Sequence, residues 1–526
     1  MSIKINYDLK ESGCKVHSIT SQTSLVELHL VCKNIVKSIS FEDGASGSEK
    51  ALRGAVSARW AVGAAASTAL LLLLAAAAER RLPAPRRASP DADAFDGYRA
   101  HAHLVNLTAI GARVAGSYEN EVLAVRWAVQ ALRQVAAHAS PHNSLEIDVH
   151  SASGAFPLTF LDGMNNVYRD VQSVVARARG RGGETSSARR TARPTRTALL
   201  INCHYDTVPG SPGASDDGAG CAVALEALRA LLAAPRPLRH DLVLLLNGAE
   251  ENILQASHAF ITTHKYLAWG AACVVAASAA LAASGGARAA YSGERPQRVL
   301  LFHTRRTDHA RAPPSVDNFF WIPEIDANTP HSLVGYVEGV ESARAGGAAG
   351  EEECSRWVYC GAPYYLPVRR LIARGHSLPA RSSPRTRLQV AAHRRRLNDT
   401  TAALHLHIRG PQHVVVVVAP AEGALLRWSS VLARPLEGPR WGLRRTYFLS
   451  VHHARAPANM HLELHVQHEE VEVEGEAGGQ VAQLSVAGHS MFGEDALSEE
   501  HQQLLERLPP WTAPFGWGVD LHLFAL

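Results

Sequence analysis

The chain has 526 residues, 46% of them hydrophobic and 19% charged, with a formal net charge of +4. That length predicts two to four folded units, the hydrophobic content excludes global disorder, and the small net charge excludes a general nucleic-acid binder. Seven cysteines are too few for a disulfide-built scaffold, and aromatics at 6% leave alanine to fill much of the core.

Lysine usage marks the first boundary. Lys4, Lys10, Lys15, Lys33, Lys37 and Lys50 precede residue 51, and only Lys265 follows. Residues 1–59 therefore read either as a disordered cytosolic tail or as a segment of foreign origin, such as a wrongly joined exon. Trp60–Ala78 is uncharged and contains five consecutive leucines, Leu70 to Leu74. At 1.5 Å per residue such a run nearly crosses a ~30 Å hydrocarbon core. It begins too far into the chain for a cleaved signal peptide, so a membrane anchor is expected at 60–78. Arg53 and Arg59 on one side and Arg80 and Arg81 on the other leave its orientation open. A second apolar run, Tyr266–Ser284, lies between Lys265 and Arg288 and is expected to span as well, with a buried core helix as the alternative. Membrane lipid is then one partner of the chain.

Between these runs, residues 92–265 carry the chemistry. Arg177–Thr197 is an Arg/Gly/Ser stretch that reads as a solvated insertion between two strands. Ala198–Cys203 then fits a buried parallel strand that delivers His204, Tyr205 and Asp206 at its carboxyl end, where open α/β sheets place their ligands. After a Pro/Gly loop comes Ser215-Asp216-Asp217-Gly218. A helix is expected to start there, with Cys221, Ala224, Leu225, Leu228, Leu231 and Leu232 on one face. Asp241–Leu246 reads as another buried strand, ending in Gly248-Ala249-Glu250-Glu251, and Gln255–His264 as a helix.

One rim would thus collect His204, Asp206, Asp216, Asp217, Glu250 and Glu251. An imidazole among carboxylates suits zinc, which accepts nitrogen and oxygen ligands and leaves a position open. Each motif alone has a bland reading: HxD is commonly structural, DDG is a turn or helix cap, and EE is a solvated pair. Their order at successive strand ends favours a metal site.

Beyond Pro296, short strands alternate with turns: Arg298–His303, Ala402–Ile408, His413–Ala419, Arg445–His452, His461–Val466 and Gln480–Val486. Residues 296–526 are expected to form an antiparallel β-sandwich. The histidines His405, His407, His452 and His453 are placed on exposed strand faces and are not assigned to a metal. Ala343–Glu353 reads as a Gly/Ala/Glu loop.

His204-Tyr205-Asp206, Gly213-Ala214-Ser215-Asp216-Asp217-Gly218-Ala219-Gly220 and Asn247-Gly248-Ala249-Glu250-Glu251 resemble the co-catalytic zinc aminopeptidases of peptidase family M28. The flanks, Glu251 to His258 and Asn106 to Glu119, resemble the endoplasmic reticulum metallopeptidases, a membrane-anchored branch. So do Cys360-Gly361-Ala362-Pro363-Tyr364-Tyr365-Leu366-Pro367 and Gly493-Glu494-Asp495. The resemblance covers roughly residues 52 to 526. It implies an α/β fold built on a partial, mostly parallel zinc-aminopeptidase-like sheet with flanking helices, joined to transmembrane helices and the β-sandwich. It implies two zinc ions, with His204 and Glu251 as terminal ligands, Asp216 as the bridge, Glu250 as general base and Asp206 as the partner that orients His204. It further implies a peptide or protein substrate, aminopeptidase-like hydrolysis and a lumenal site at the endoplasmic reticulum membrane.

The chain departs from that pattern. Two further ligands, a carboxylate and a final histidine, are missing, because helix Gln255–His264 runs directly into the apolar stretch at Tyr266. The middle of the pattern is lost, and weak or absent activity is expected. A catalytically inactive membrane glycoprotein acting as a binding module is one alternative, and zinc-dependent acyl transfer or deacetylation on the same fold is another. Asn106 and Asn398 head glycosylation acceptors. If both are lumenal, the single span between them gives the wrong parity, which the lost membrane block would correct. Cys354 and Cys360 are a candidate disulfide in an oxidising lumen.

Overall fold

The computed structural model describes Arg87 and residues 94–526, apart from 160–161, 181–197, 265–290, 294–295, 326–327, 341–342, 346–350, 367, 369–374, 456 and 469–479. The expected spans at 60–78 and 266–284, residues 1–59 and most of the Arg/Gly/Ser insertion lie outside the described residues. Among the described residues no helix is long and apolar enough to cross a membrane. The described residues belong to one compact unit.

The first elements are helices. Asp96 caps α1 (Gly97–Thr108) by accepting from the amides of Tyr98 and Arg99, the usual role of an aspartate at a helix start. A π-helical turn at Glu119–Ala124 leads into α2 (Val125–Ala137), whose Ala128, Ala131, Leu132 and Val135 face inward at helical spacing. A long hairpin follows, β1 (Asn143–Leu158) against β2 (Met164–Gly180). Strand β3 (Ala198–His204) leads through a loop into α3 (Ala219–Ala233), then β4 (Asp241–Asn247) and α4 (Gln255–Thr263). Leu231 is the exception to the expected buried face of α3, being 41% exposed.

The C-terminal portion adds β5 (Gln297–Asp308), β6 (Ser315–Pro323), β7 (Arg344–Ala345), α5 (Glu351–Arg356), β8 (Gly375–Pro379), β9 (Gln389–Arg396) and β10 (Thr401–Gly410). It continues with β11 (His413–Pro420), β12 (Ala424–Ser429), β13 (Tyr447–His453), β14 (Ala458–His468), β15 (Ala482–Ser490), α6 (Glu499–Glu506) and β16 (Thr512–Ala525). All six strands read from the sequence in this portion are present.

Two sheets result. The larger runs β3-β4-β2-β13-β11-β15-β16-β5-β6-β8-β7 with β1 beside β2, and the smaller runs β12-β14-β10-β9. The expected sandwich exists, but one of its sheets does not stop at the C-terminal region. Strand β2 makes the junction by dividing its length: Ser173–Ala178 pairs with β4, and Asn165–Arg169 pairs in parallel with β13. A register shift at Ala152/Gly154 in β1, opposite a left-handed Asp170 in β2, falls between the two stretches, as bulges do where a strand changes course. The sheet is mixed: β3 and β4 run parallel as expected, β2 joins β4 antiparallel, and β1 pairs antiparallel with β2.

Two cores cover the centre of the large sheet. On one face Val414, Val416 and Val418 of β11 and Leu449 of β13 pack against Leu404, Leu406, Ile408 and Leu462 of the small sheet. On the other, Val415, Val417 and Phe448 pack with Trp321, Trp517 and Tyr359. A separate core joins α2 and α3 to β2 and β4 through Leu132, Leu225, Leu228, Val174 and Leu244. Burying one such aliphatic side chain contributes roughly 1.5–3 kcal/mol.

Two expectations are corrected. Strand β4 is buried throughout, but β3 is not the fully buried strand its apolar run predicts: Ala198, Leu199 and Asn202 are exposed. It pairs only with β4 among the described residues, so its second edge lacks a covering strand. His452 and His453 lie inside the protein, 1% and 8% exposed, because β13 has a core on each face.

Candidate metal centre

Because β3 and β4 are parallel and in register from Ala198↔Asp241 to His204↔Asn247, their carboxyl ends open on the same rim. The chain leaves β3 with the Tyr205 amide still donating to the Asn247 carbonyl at 2.8 Å. This delivers Asp206, fully buried, under the loop that follows β4. Its carboxylate accepts from the Glu250 amide at 3.0 Å through Oδ1 and from the Glu251 amide at 2.9 Å through Oδ2. Charge-assisted bonds of this kind are among the stronger ones, and here they fix the backbone of both glutamates.

The loop between β3 and α3 is held from two directions. Arg113, fully buried, donates through Nε to the Tyr205 carbonyl at 2.6 Å and through Nη1 to the carbonyls of Gly111 and Pro212 at 2.7 and 2.9 Å. Gly213 sits at φ +56°, where a Cβ would also collide with the Thr207 methyl, so the turn before the acidic pair requires glycine. Asp216 and Asp217 are joined by a cis peptide. Beneath them Cys203 of β3 and Cys221 of α3 form a disulfide that brackets His204, Asp206, Asp216 and Asp217 in one closed loop.

His204 Nε2 lies 3.1 Å from Asp216 Oδ1 and 3.7 Å from Glu250 Oε2. Its Nδ1 faces the Asp206 carbonyl at 3.1 Å and Asp206 Oδ1 at 3.5 Å. One ligand atom each from His204, Asp216 and Glu251 lie within 4.8 Å of one another. Asp216 projects into solvent with 80% of its side chain exposed, while His204 is nearly closed off, so the cluster is open on the Asp216 side.

Five carboxylates thus surround one imidazole. Burial by itself would lower the His204 pKa, but Asp206, Glu250 and Asp217 hold the charged ring and raise it to about 10. Burial raises Glu251 to about 7, helped by the nearby charge of Asp206. Burial also lifts Glu250 and Asp217 above the ordinary carboxylate range, against the pull of His204.

The structure brings His204, Asp206, Asp216, Asp217, Glu250 and Glu251 together. The Asp206 carboxylate lies closer to the amides of the two glutamates, at 3.0 and 2.9 Å, than to the His204 ring, at 3.5 Å. Arg113 and the Cys203–Cys221 pair were not singled out from the sequence. Arg113 lies inside the Asn106–Glu119 segment, and the two cysteines bracket the metal motifs, so both signals were present. His258 and His264 stay outside the cluster: His258 stacks on Phe156 and its Nδ1 meets Tyr168 Oη at 2.8 Å, and His264 lies 3.5 Å from Asp148. Asn106 is exposed on α1. Asn398 is exposed in the β9–β10 turn, where its Oδ1 accepts from the Thr400 amide at 3.0 Å. Cys354 and Cys360 are joined as a disulfide.

Residues 187–309 match the family model described as peptidase family M28, and residues 294–524 match that of the endoplasmic reticulum metallopeptidase 1 C-terminal domain. Over these two segments the chain is similar to the endoplasmic reticulum metallopeptidases and to peptidase family M28. It is 42% identical over 172 residues to endoplasmic reticulum metallopeptidase 1 of Mus musculus, a stretch covering 33% of this chain and 18% of that protein. With the Homo sapiens protein it is 38% identical over 181 residues, 34% of this chain and 19% of the relative. The chain therefore spans about a fifth of the length of the curated relatives it matches. A vacuolar membrane protease of Leptosphaeria maculans is 33% identical over 103 residues, 20% of this chain and 13% of that one. Among solved structures it is similar to the LapA aminopeptidase of Legionella pneumophila, at 16% identity and a TM-score of 0.25, over 40% of this chain and 46% of that one.

Proposed function

We propose that this chain is a zinc metallopeptidase of the endoplasmic reticulum membrane, with a lumenal site that acts on peptides in the manner of an aminopeptidase. Its activity is weak or absent, because the downstream carboxylate and histidine that the co-catalytic pattern calls for are missing. The observation that supports a metal here is the charge imbalance: five carboxylates converge on one imidazole, which then holds a proton to a pKa of about 10. A divalent cation held there would offset the negative charge of these carboxylates. The nitrogen and oxygen donors are of the kind zinc accepts.

His204, Asp216 and Glu251 would hold the ion. When bound, zinc supplies Lewis acidity toward a peptide carbonyl. Glu250 Oε2, beside His204 and held above the ordinary carboxylate range by burial, is placed to take a proton from attacking water and to return it to the leaving amine. Asp206 keeps Glu250 and Glu251 facing the same space through their amides. The single three-ligand cluster among the described residues also supports a second reading, a membrane glycoprotein that binds zinc without turnover.

The test is zinc content per purified chain, followed by hydrolysis of aminoacyl substrates. Loss of one equivalent in Asp216→Ala supports the metal site. Slow hydrolysis abolished by Glu250→Gln selects the enzyme, and bound zinc without hydrolysis selects the second reading. Zinc retained in full by Asp216→Ala would falsify the assignment.

A further inference from the structure

The small sheet turns one face to the large sheet, and the other carries an unusual set of side chains. Leu404, Leu406 and Ile408 of β10 point into the core, which puts His405 and His407 on the opposite face, two residues apart on one strand. Sequence alone shows only this His-x-His pair. The register supplies the rest: His407 is the direct partner of His461 on β14, and His405 that of His393 on β9. The His407 and His461 rings stack with centroids 4.2 Å apart and 3° between planes, and the His393 and His405 rings at 5.2 Å and 14°. All four are exposed or half-exposed. The two rows are about 7 Å apart along the strand, at ~3.4 Å per residue. The direct partner of His405 on its other side is Glu463, whose Oε1 meets His465 Nε2 at 2.8 Å.

We propose that this outer face is a second metal site, binding a divalent transition ion such as Zn²⁺ or Cu²⁺ through His407 and His461, with His405 and His393 completing the donor set. Imidazole is a preferred ligand for both ions. A cross-strand pair is suited to share an ion because the rigid sheet holds the two Cβ atoms at a fixed short distance, so little entropy is lost on binding. The exposed rings turn about χ2 to bring one nitrogen each to the ion. His407 Nε2 gives up only a 3.2 Å contact with Asn459 Oδ1 to do so. Glu463 contributes negative charge and partly offsets the arginines of β9. None of these residues takes part in the centre at His204, so the proposal stands whether or not the chain is a peptidase.

The experiment is a competition titration of the metal-free full chain with Zn²⁺ and separately with Cu²⁺ against a chromophoric chelator. It is run on the parent, Asp216→Ala and His407→Asn/His461→Asn. The Asp216→Ala variant should keep the outer equivalent, and the double variant should lose it or bind it more than ~100-fold more weakly, beyond what loss of an outer-shell partner brings. Copper bound to Asp216→Ala should show nitrogen superhyperfine splitting in its electron paramagnetic resonance spectrum. Unchanged stoichiometry and affinity in the double variant, or a copper spectrum with no nitrogen coupling, overturns the proposal. If the double variant fails to fold, His461→Gln alone carries the same test, with the affinity of the same equivalent as the readout.

Discussion

At the β3 end of the large sheet, Leu199 and Asn202 face outward and no described strand lies beyond them. At its centre, β11 is buried along its whole length, paired on both edges by β13 and β15 and packed on both faces. Both strands are apolar runs of similar length, although β11 carries five valines where β3 has alanine, leucines and an asparagine. They differ also in the number of neighbours among the described residues. The candidate metal centre sits at the lightly covered end, and polar and covalent pins support it there: the Asp206 grip on two amides, the Arg113 bonds to loop carbonyls and the Cys203–Cys221 disulfide. The best-covered packing and the candidate metal centre thus lie in different parts of one sheet.

The sharpest way to break that contrast is to truncate a leucine in each region. Leu404→Ala, in the core between the two sheets, should cost about 2–5 kcal/mol of unfolding free energy, as buried leucine truncations do. Leu199→Ala on β3, 41% exposed, should cost no more than ~0.5 kcal/mol, the usual range for surface changes. Denaturant unfolding of the two variants measures both. Equal costs would mean that β3 is covered as thoroughly as the centre.

Acid should act on the centre. Burial lowers His413 to about 4 and His489 to about 3, and holds His452 well below the ordinary value. These rings are partners across adjacent strands, His452↔His413↔His489. His413 Nε2 faces the Ala115 carbonyl, and Trp517 Nε1 donates to His489 Nδ1. The unfolded chain takes up these protons near pH ~6.5 and the folded chain refuses them until far lower. The folded state is therefore most favoured above that pH and loses stability as pH falls through the window down to about 4. His413 alone accounts for a loss on the order of 3 kcal/mol. Urea midpoints measured from pH 7 to pH 4 should fall steeply in the parent and less so in His413→Leu. A flat profile would mean that the cluster is open to water.

How much of this was legible beforehand depended on how local each feature is. Strand β10 announced itself through the alternation Leu404-His405-Leu406-His407-Ile408, and β4 through an unbroken apolar run. Strand β9 did not, because Arg394, Arg395 and Arg396 hide its period. The burial of His452 and His453 was illegible for a different reason. Alternation assigns one residue to each face, and only the tertiary packing shows that both faces of β13 are covered. The double use of β2 depends on a pairing with β13 nearly three hundred residues away. At the site, the ligand-type residues were readable because the turns that carry them are short motifs. The supports were read only in part: Asp206 was assigned to His204 and not to the Glu250 and Glu251 amides, and Arg113 was missed, since both act through backbone groups that any residue possesses.

Those supports give the next test of the lightly covered end. In Asp206→Asn one side-chain oxygen remains to accept a hydrogen bond, and the amide NH₂ is turned toward a backbone N–H that needs an acceptor. One of the two glutamate amides then loses its bond. Zinc affinity should fall about 10–100-fold, the range for loss of an outer-shell partner. Because the centre of the sheet is untouched, its cooperative unfolding transition should persist. If both affinity and the main transition are unchanged, Asp206 does not position the glutamates.

The smallest effect concerns the edge itself. A β3 edge that lacks a neighbour offers a row of backbone groups to a second chain, and an exposed apolar residue on that strand favours such pairing. Leu199 is that residue, and a lysine there should discourage strand addition through charge while leaving the buried Leu200 and Cys203 in place. Leu199→Lys is expected to change unfolding free energy by less than ~0.5 kcal/mol and to lower the fraction of associated protein in sedimentation velocity as concentration rises. The same substitution at a strand already covered on that edge would cost stability without altering association. Measured together, these two quantities distinguish an uncovered β3 from one that other parts of the chain complete.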